Sequence, residues 1–160
     1  MSTGTGDWLA FERKRMREDL VKRKQALTPT LREGLAWPFP EAVNQLSKDV
    51  VSTAVRGKSP NQAGGRIYVL EFRGPGQYVK LGSVRQDFRR RVLQHQRIAR
   101  VHQYALVDAW FSPHIPNPVE LEGALKKFLR ITHAQHDGEY FLGLDFDRAA
   151  SVAGDLTGSP

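Results

Sequence analysis

The stretch RIYVLEFRGPGQYVKLGSVRQDFRRRVLQHQ, residues 66–96, decides how this chain folds. Its opening RIYVLEF (66–72) is rich in β-branched and aromatic side chains and predicts a strand. RGPGQ (73–77) is a turn, and YVKLGS (78–83) is a second strand. With the turn centred on Pro75, Phe72 faces Tyr78, Leu70 faces Lys80 and Tyr68 faces Gly82. Side chains alternate across a strand, so the even-numbered residues share a face. Tyr68, Tyr78 and Lys80 therefore lie together, with open space at Gly82 beside Tyr68. Ile67, Val69, Val79 and Leu81 take the other face, as core. A slip of one residue would exchange the two faces.

A helix is expected from Asp87 to about Val101. On a helical wheel Phe88, Val92 and Ala99 form the buried side, with His95 near it. Arg89 and Arg90 point away, joined by Arg97 and Arg100, as a solvated basic face able to touch phosphates. Arg91 alone sits on the flank of the buried side, one turn before His95, facing the hairpin. A half-buried guanidinium needs a partner, and the residues leave open whether that is a carboxylate or a substrate phosphate.

Downstream, YALVDAWF (104–111) reads as a third strand. Asn117 and Pro118 open a helix to about Ile131, GEYFLGL (138–144) is a short strand or extended segment, and DRAASVAG is a last short helix. In the Pro118 helix Leu121, Leu125, Phe128 and Leu129 form the buried stripe, and Glu122 borders it. Upstream, residues 1–6 read as disordered, and Asp7 caps a helix from Trp8 to about Leu27. Leu9, Met16, Leu20 and Leu27 line one face of that helix, and its charges are read as solvated. TPT (28–30) and WPFP (37–40) break the pattern, a second helix spans Glu41 to about Val55, and GKSPNQAGG (57–65) is a linker. The expected fold is α+β: a small central antiparallel sheet of about three strands, flanked by helices and preceded by a helical N-terminal segment. The expected division is 1–63 helical extension and linker, 64–150 main domain, and 151–160 flexible tail.

Net charge is +7 and the pI about 10.0. The excess is concentrated in two segments, which favours a polyanionic partner such as DNA over simple solubility. There is no cysteine, which excludes thiolate catalysis and cysteine-ligated metals. The opening MSTGTGDW lacks a basic segment followed by an apolar one, and no run is long enough to span a bilayer. A cytoplasmic protein with no membrane partner is expected. His133 and His136 are three apart and no HExxH occurs, so a zinc site is not expected.

The hairpin and its helix, with LEGAL (121–125) and GEYF (138–141), resemble the GIY-YIG nuclease superfamily, in the phage and bacterial branch that reads VKIG at its second motif. The resemblance covers residues 66–146. It implies a metal-dependent endonuclease cutting DNA, with one Mg²⁺ or Mn²⁺. By position Tyr68 is similar to the first-motif tyrosine, Lys80 stands at the second-motif tyrosine, and Gly82 matches that motif's final glycine. Arg91 matches the catalytic arginine and Glu122 the metal-binding glutamate. Arg66 departs from the first-motif glycine and Lys80 from the tyrosine. On this reading Arg91 clamps the phosphate through paired N–H groups. Tyr68 is the base or positions the water, assisted by Lys80, which shares its face and is placed to lower its pKa. Tyr78, Gly82, Arg89, Arg90, His95 and Arg97 are the candidate substrate contacts; Tyr78 serves in packing or substrate contact, and His95 is either a packed or solvated histidine or a phosphate contact. The alternative is a catalytically weak or inactive DNA-binding module, or a subunit whose N-terminal helices dock a larger restriction, repair or phage-defence complex.

Overall fold

The computed structural model describes residues 4–54, 63–133 and 135–158. Its elements run α1 (Gly4–Glu33), α2 (Glu41–Ser52), β1 (Arg66–Arg73), β2 (Gln77–Val84), α3 (Phe88–Val101), β3 (Ala105–Phe111), α4 (Pro118–Thr132), β4 (His136–Asp137), β5 (Tyr140–Leu142) and α5 (Phe146–Thr157). The class is α+β, as expected. The sheet, however, has five antiparallel strands in the order β3-β1-β2-β5-β4. The segment expected as one short strand near residue 140 folds on itself: Asp137 pairs with Tyr140 across a turn at Gly138, whose φ is +61°. A glycine takes that left-handed conformation at little cost.

The hairpin register is the one that the Pro75 turn dictates, with Tyr68 opposite Gly82, Leu70 opposite Lys80 and Phe72 opposite Tyr78. Both faces of the sheet are covered. Tyr68, Leu70 and Phe72 pack with Leu31, Leu35, Val43, Leu46 and Val50 from the N-terminal segment and with Phe88 and Val92 of α3. Ile67, Val69, Val79 and Leu81 pack with Leu125 and Leu129 of α4 and with Phe146 and Ala149 of α5. The result is three layers, helix, sheet and helix, in which the first two helices share the sheet's core.

Two expectations are corrected in α1. Residues 4–6 are helical, and the helix does not stop at TPT but runs through Pro29 to Glu33. Proline inside a helix costs about 3 kcal/mol. Here it is offset by burial of Leu31 and Leu35 just beyond, and α1 ends instead at Gly34, whose φ is +94°. The charged face of α1 is also not all solvated. Glu71 of β1 and Asp108 of β3 are cross-strand partners, both buried. The Lys24 ammonium sits between them, 2.6 Å from Glu71 and 2.8 Å from Asp108, and Arg17 lies 2.6 Å from Asp108. Two like charges face to face in a sheet repel, so this pair needs the cations that α1 delivers. Leu20 is buried and Leu27 partly so, while Met16 is exposed.

At the other end, the flexible tail expected over 151–160 is helical to Thr157, because Ala153 is fully buried under the sheet. The side chains of Asp7 and Leu9, residues 1–3 and 159–160, the expected end of the second helix at Val55 and positions 57–62 of the expected linker (57–65) lie outside the described residues. No described helix is long and apolar enough to cross a membrane.

Candidate active site

The even face of the hairpin carries a polar cluster inside an otherwise apolar layer. Tyr68 is almost fully buried, with its ring edge-on to Phe88 at 5.5 Å. Its hydroxyl lies 2.9 Å from His95 Nε2. Helix geometry explains that contact: Phe88, Val92 and Ala99 press α3 onto the sheet, and His95 lies along the same side. The N-terminus of α3 is fixed by Asp87, which accepts the Arg90 backbone N–H at 3.1 Å.

Gly82 does not leave open space. A β-carbon there would lie 2.2 Å from the Tyr68 hydroxyl oxygen, so the tyrosine fills the volume that the glycine vacates. Lys80 is buried, and its ammonium lies 3.0 Å from Glu139 Oε2 and 4.7 Å from the centre of the Tyr140 ring. Strand β5 makes this possible, since Lys80 is the cross-strand partner of Tyr140. On the opposing helix, Glu122 is held by Lys126 one turn on, at 2.5 Å. These side chains feel one another. The charges of Arg91, Glu139 and Glu122 all act on the Tyr68 hydroxyl, and those of Lys80 and Arg91 act on His95.

Three positions depart from expectation. Arg89 does not join a solvated face. Its guanidinium bonds to Ser52 O at 2.7 Å and Ala54 O at 2.9 Å, which satisfies the last carbonyls of α2 where the helix dipole favours a cation. Arg91 is exposed rather than half-buried, because its long stem carries the charge out to water. Its guanidinium makes no hydrogen bond or ion pair among the described residues, although its field reaches Tyr68 and His95. Lys80 does not make Tyr68 acidic. Burial raises the tyrosine pKa, Arg91 only partly opposes this, and Lys80 is committed to Glu139.

The remaining expected contacts divide. Arg90 and Arg97 are exposed on α3. Tyr78 belongs to an aromatic cluster with Phe72, Tyr104 and Tyr140, at centroid distances of 4.9, 5.0 and 5.7 Å. Burial raises its pKa as well. His95 has its pKa lowered to about 4, first by burial and then by Lys80 and Arg91, so at neutral pH the ring is uncharged. Burial alone would raise the Glu139 carboxyl, but the Lys80 hydrogen bond and the charges of Lys80 and Lys126 outweigh it and bring it below its ordinary value.

Lys126 and Tyr140 went unread in the sequence. Lys126 is legible in hindsight as the i+4 partner of Glu122, whereas Tyr140 needs the β5 register, which three residues of strand cannot specify alone. Among the described residues no three His, Asp or Glu side chains gather to chelate a metal. Glu122 nonetheless fits a hydrated divalent ion that takes few protein ligands. Its carboxylate already accepts one cation, the Lys126 ammonium on Oε2, and keeps a second oxygen. The chain matches no family model, no curated protein and no solved structure.

Proposed function

We propose that this face hydrolyses phosphodiester bonds in DNA, as the resemblance to the GIY-YIG superfamily implies. The observation that carries the reading is the Tyr68–His95 hydrogen bond within the field of the exposed Arg91 guanidinium. A phosphate at Arg91 accepts paired N–H groups, which offset the charge that builds up during attack. A water at the Tyr68 hydroxyl gives up a proton to it while the tyrosine's own proton passes to His95 Nε2, in the tautomer protonated at Nδ1. The hydroxide formed attacks phosphorus, the bond to the leaving oxygen breaks, and that oxygen takes a proton from solvent. A tyrosine with a raised pKa is a poor base by itself, so a relay through His95 is the step this geometry favours. Burial lowers the His95 pKa first and the Lys80 and Arg91 charges second; the anionic substrate opposes those two charges and so raises the ring's affinity for the proton. Lys80 is paired with Glu139 beneath the site, which fixes the ammonium in place there. Glu122 is the residue that would hold Mg²⁺ or Mn²⁺, and the ion, when bound, supplies further neutralisation of phosphate charge.

The alternative, a DNA-binding module or subunit without turnover, has one observation in its favour: Lys126 already neutralises Glu122. A docking role for α1 draws on Trp8 and Phe11, exposed and stacked at 6.4 Å. Purified protein with supercoiled plasmid and Mg²⁺ or Mn²⁺ separates the readings. Nicking lost in Glu122→Ala and in Arg91→Ala supports the nuclease. Retarded migration without cutting, unchanged by Glu122→Ala, supports the binding module. Neither activity without a co-purifying protein supports the subunit.

A further inference from the structure

A groove of about 710 Å³ runs between α1 and the edge strand β3, and Phe111 in its wall is the cross-strand partner of Tyr68. It is large enough for one ligand of nucleotide size and too small for a duplex. Its walls combine arginines with apolar surface: Arg13 and Met16 from α1, Arg66 from β1, Arg89 from α3, and Trp110 and Phe111 from β3. Two of its four guanidiniums are spoken for. Arg17 is neutralised by Asp108, and Arg89 caps α2. Arg66 donates to the Ser112 carbonyl at 2.9 Å, which leaves its charge intact, and Arg13 makes no hydrogen bond or ion pair among the described residues. Burial and the nearby Arg13 charge both lower the Arg66 pKa, so two like charges act on each other across the groove. Glu12 is the one carboxylate in the lining, and it limits the groove to a small anion load.

We propose that this groove seats one nucleotide unit of a DNA strand, with its phosphate between Arg13 and Arg66 and its base against Phe111, which shares the Tyr68 face and whose neighbour Trp110 also lines the groove. Arg66 and Tyr68 share a face of β1 two residues apart, about 6.6 Å along the strand. A chain seated at Arg66 is thereby led towards the Tyr68 hydroxyl. Arg66 also replaces the small first-motif residue expected at that position, and the groove gives the replacement a use. Stacking on an aromatic face tolerates any base, so the groove adds affinity without reading sequence. The proposal takes its DNA from the reading above, but the two can fail separately.

The test uses the full chain with Trp8 and Trp37, both exposed, replaced by phenylalanine, so that emission reports Trp110 alone. A short oligothymidylate is expected to quench that emission saturably. Arg13→Glu, at an exposed position with no contact to lose, should weaken binding about tenfold or more and reduce its salt dependence by about one ion. Phe111→Leu, followed with a labelled oligothymidylate, should weaken binding about tenfold. Equal affinity for dTMP would make a free nucleotide the occupant, and equal affinity for inorganic phosphate would leave the base no role; either overturns the strand proposal. Oligonucleotide affinity indifferent to Arg13→Glu overturns the groove even if plasmid is nicked. Binding that depends on Arg13 in a protein that never nicks plasmid keeps the groove and discards the nuclease.

Discussion

Gly82→Ala tests how tightly the site is built. Replacing a strand glycine by alanine ordinarily stabilises by roughly 0.5–1 kcal/mol through backbone entropy. Here the new β-carbon would lie 2.2 Å from the Tyr68 hydroxyl oxygen, 2.3 Å from Cζ and 2.8 Å from Cε1. Carbon–carbon contacts are favourable near 3.5–4.0 Å, so the ring has to retreat by about an ångström or more. It has nowhere to go, being almost fully buried, set edge-on to Phe88 and bonded to His95. Overpacking of this kind costs about 1–3 kcal/mol, and losing the His95 hydrogen bond adds about 0.5–1.5 kcal/mol. After the entropic gain, a net loss of about 2 kcal/mol is expected, which lowers Tm by about 4–8 °C for a chain of this size. Urea unfolding, read at constant m-value, measures it. In a Tyr68→Leu background all three clashing atoms are gone, and Gly82→Ala should be neutral or stabilising, a coupling of about 2 kcal/mol. A single variant within about 0.5 kcal/mol of the parent, or the same loss in both backgrounds, would refute the reasoning.

Three further outcomes are expected. NMR titration should show the His95 ring protonating near pH 4, against an ordinary value of 6.5; because the folded pKa is depressed, the stability this adds is present above pH 6.5 and lost as pH falls through 4. Arg91→Ala should move that titration upward, and a His95 titrating between 6 and 7 in the parent would contradict the burial argument. Lys24→Met should destabilise by about 3 kcal/mol in urea, since it strips the shared cation from Glu71 and Asp108, and a neutral outcome would mean Arg17 and Arg73 suffice. Lys126→Met should lower the Mn²⁺ concentration needed for half-maximal nicking by removing a competing cation from Glu122, while an unchanged requirement would place the ion elsewhere.

The hairpin was legible in the sequence because a two-sided core admits only one register, and a Pro-Gly turn flanked by alternating faces states it. The Tyr68–Lys80 face followed from that register alone. Arg91 was harder, since a wheel gives the direction of a side chain but not how far a flexible stem carries its charge. Arg89 was misread for a different reason: its partners are backbone carbonyls of α2, and carbonyls leave no mark in a sequence. Pro29 and the charged face of α1 were read locally, whereas the deciding forces were distant: burial of Leu31, and two buried carboxylates that need Lys24. The β4–β5 hairpin, and with it the place of Tyr140 beside Lys80, was too short for periodicity to reveal.

The central claim is that Arg91 meets a phosphate undergoing cleavage. Single-turnover cutting of a labelled duplex, with duplex affinity measured in parallel on parent and Arg91→Ala, tests it most directly. The account predicts that Arg91→Ala cuts about 10²–10³-fold more slowly while its affinity changes only a few-fold, because the guanidinium acts on charge that develops during attack. A variant that cuts at the parent's rate, or a parent that binds duplex and leaves it intact with either metal ion, would contradict it.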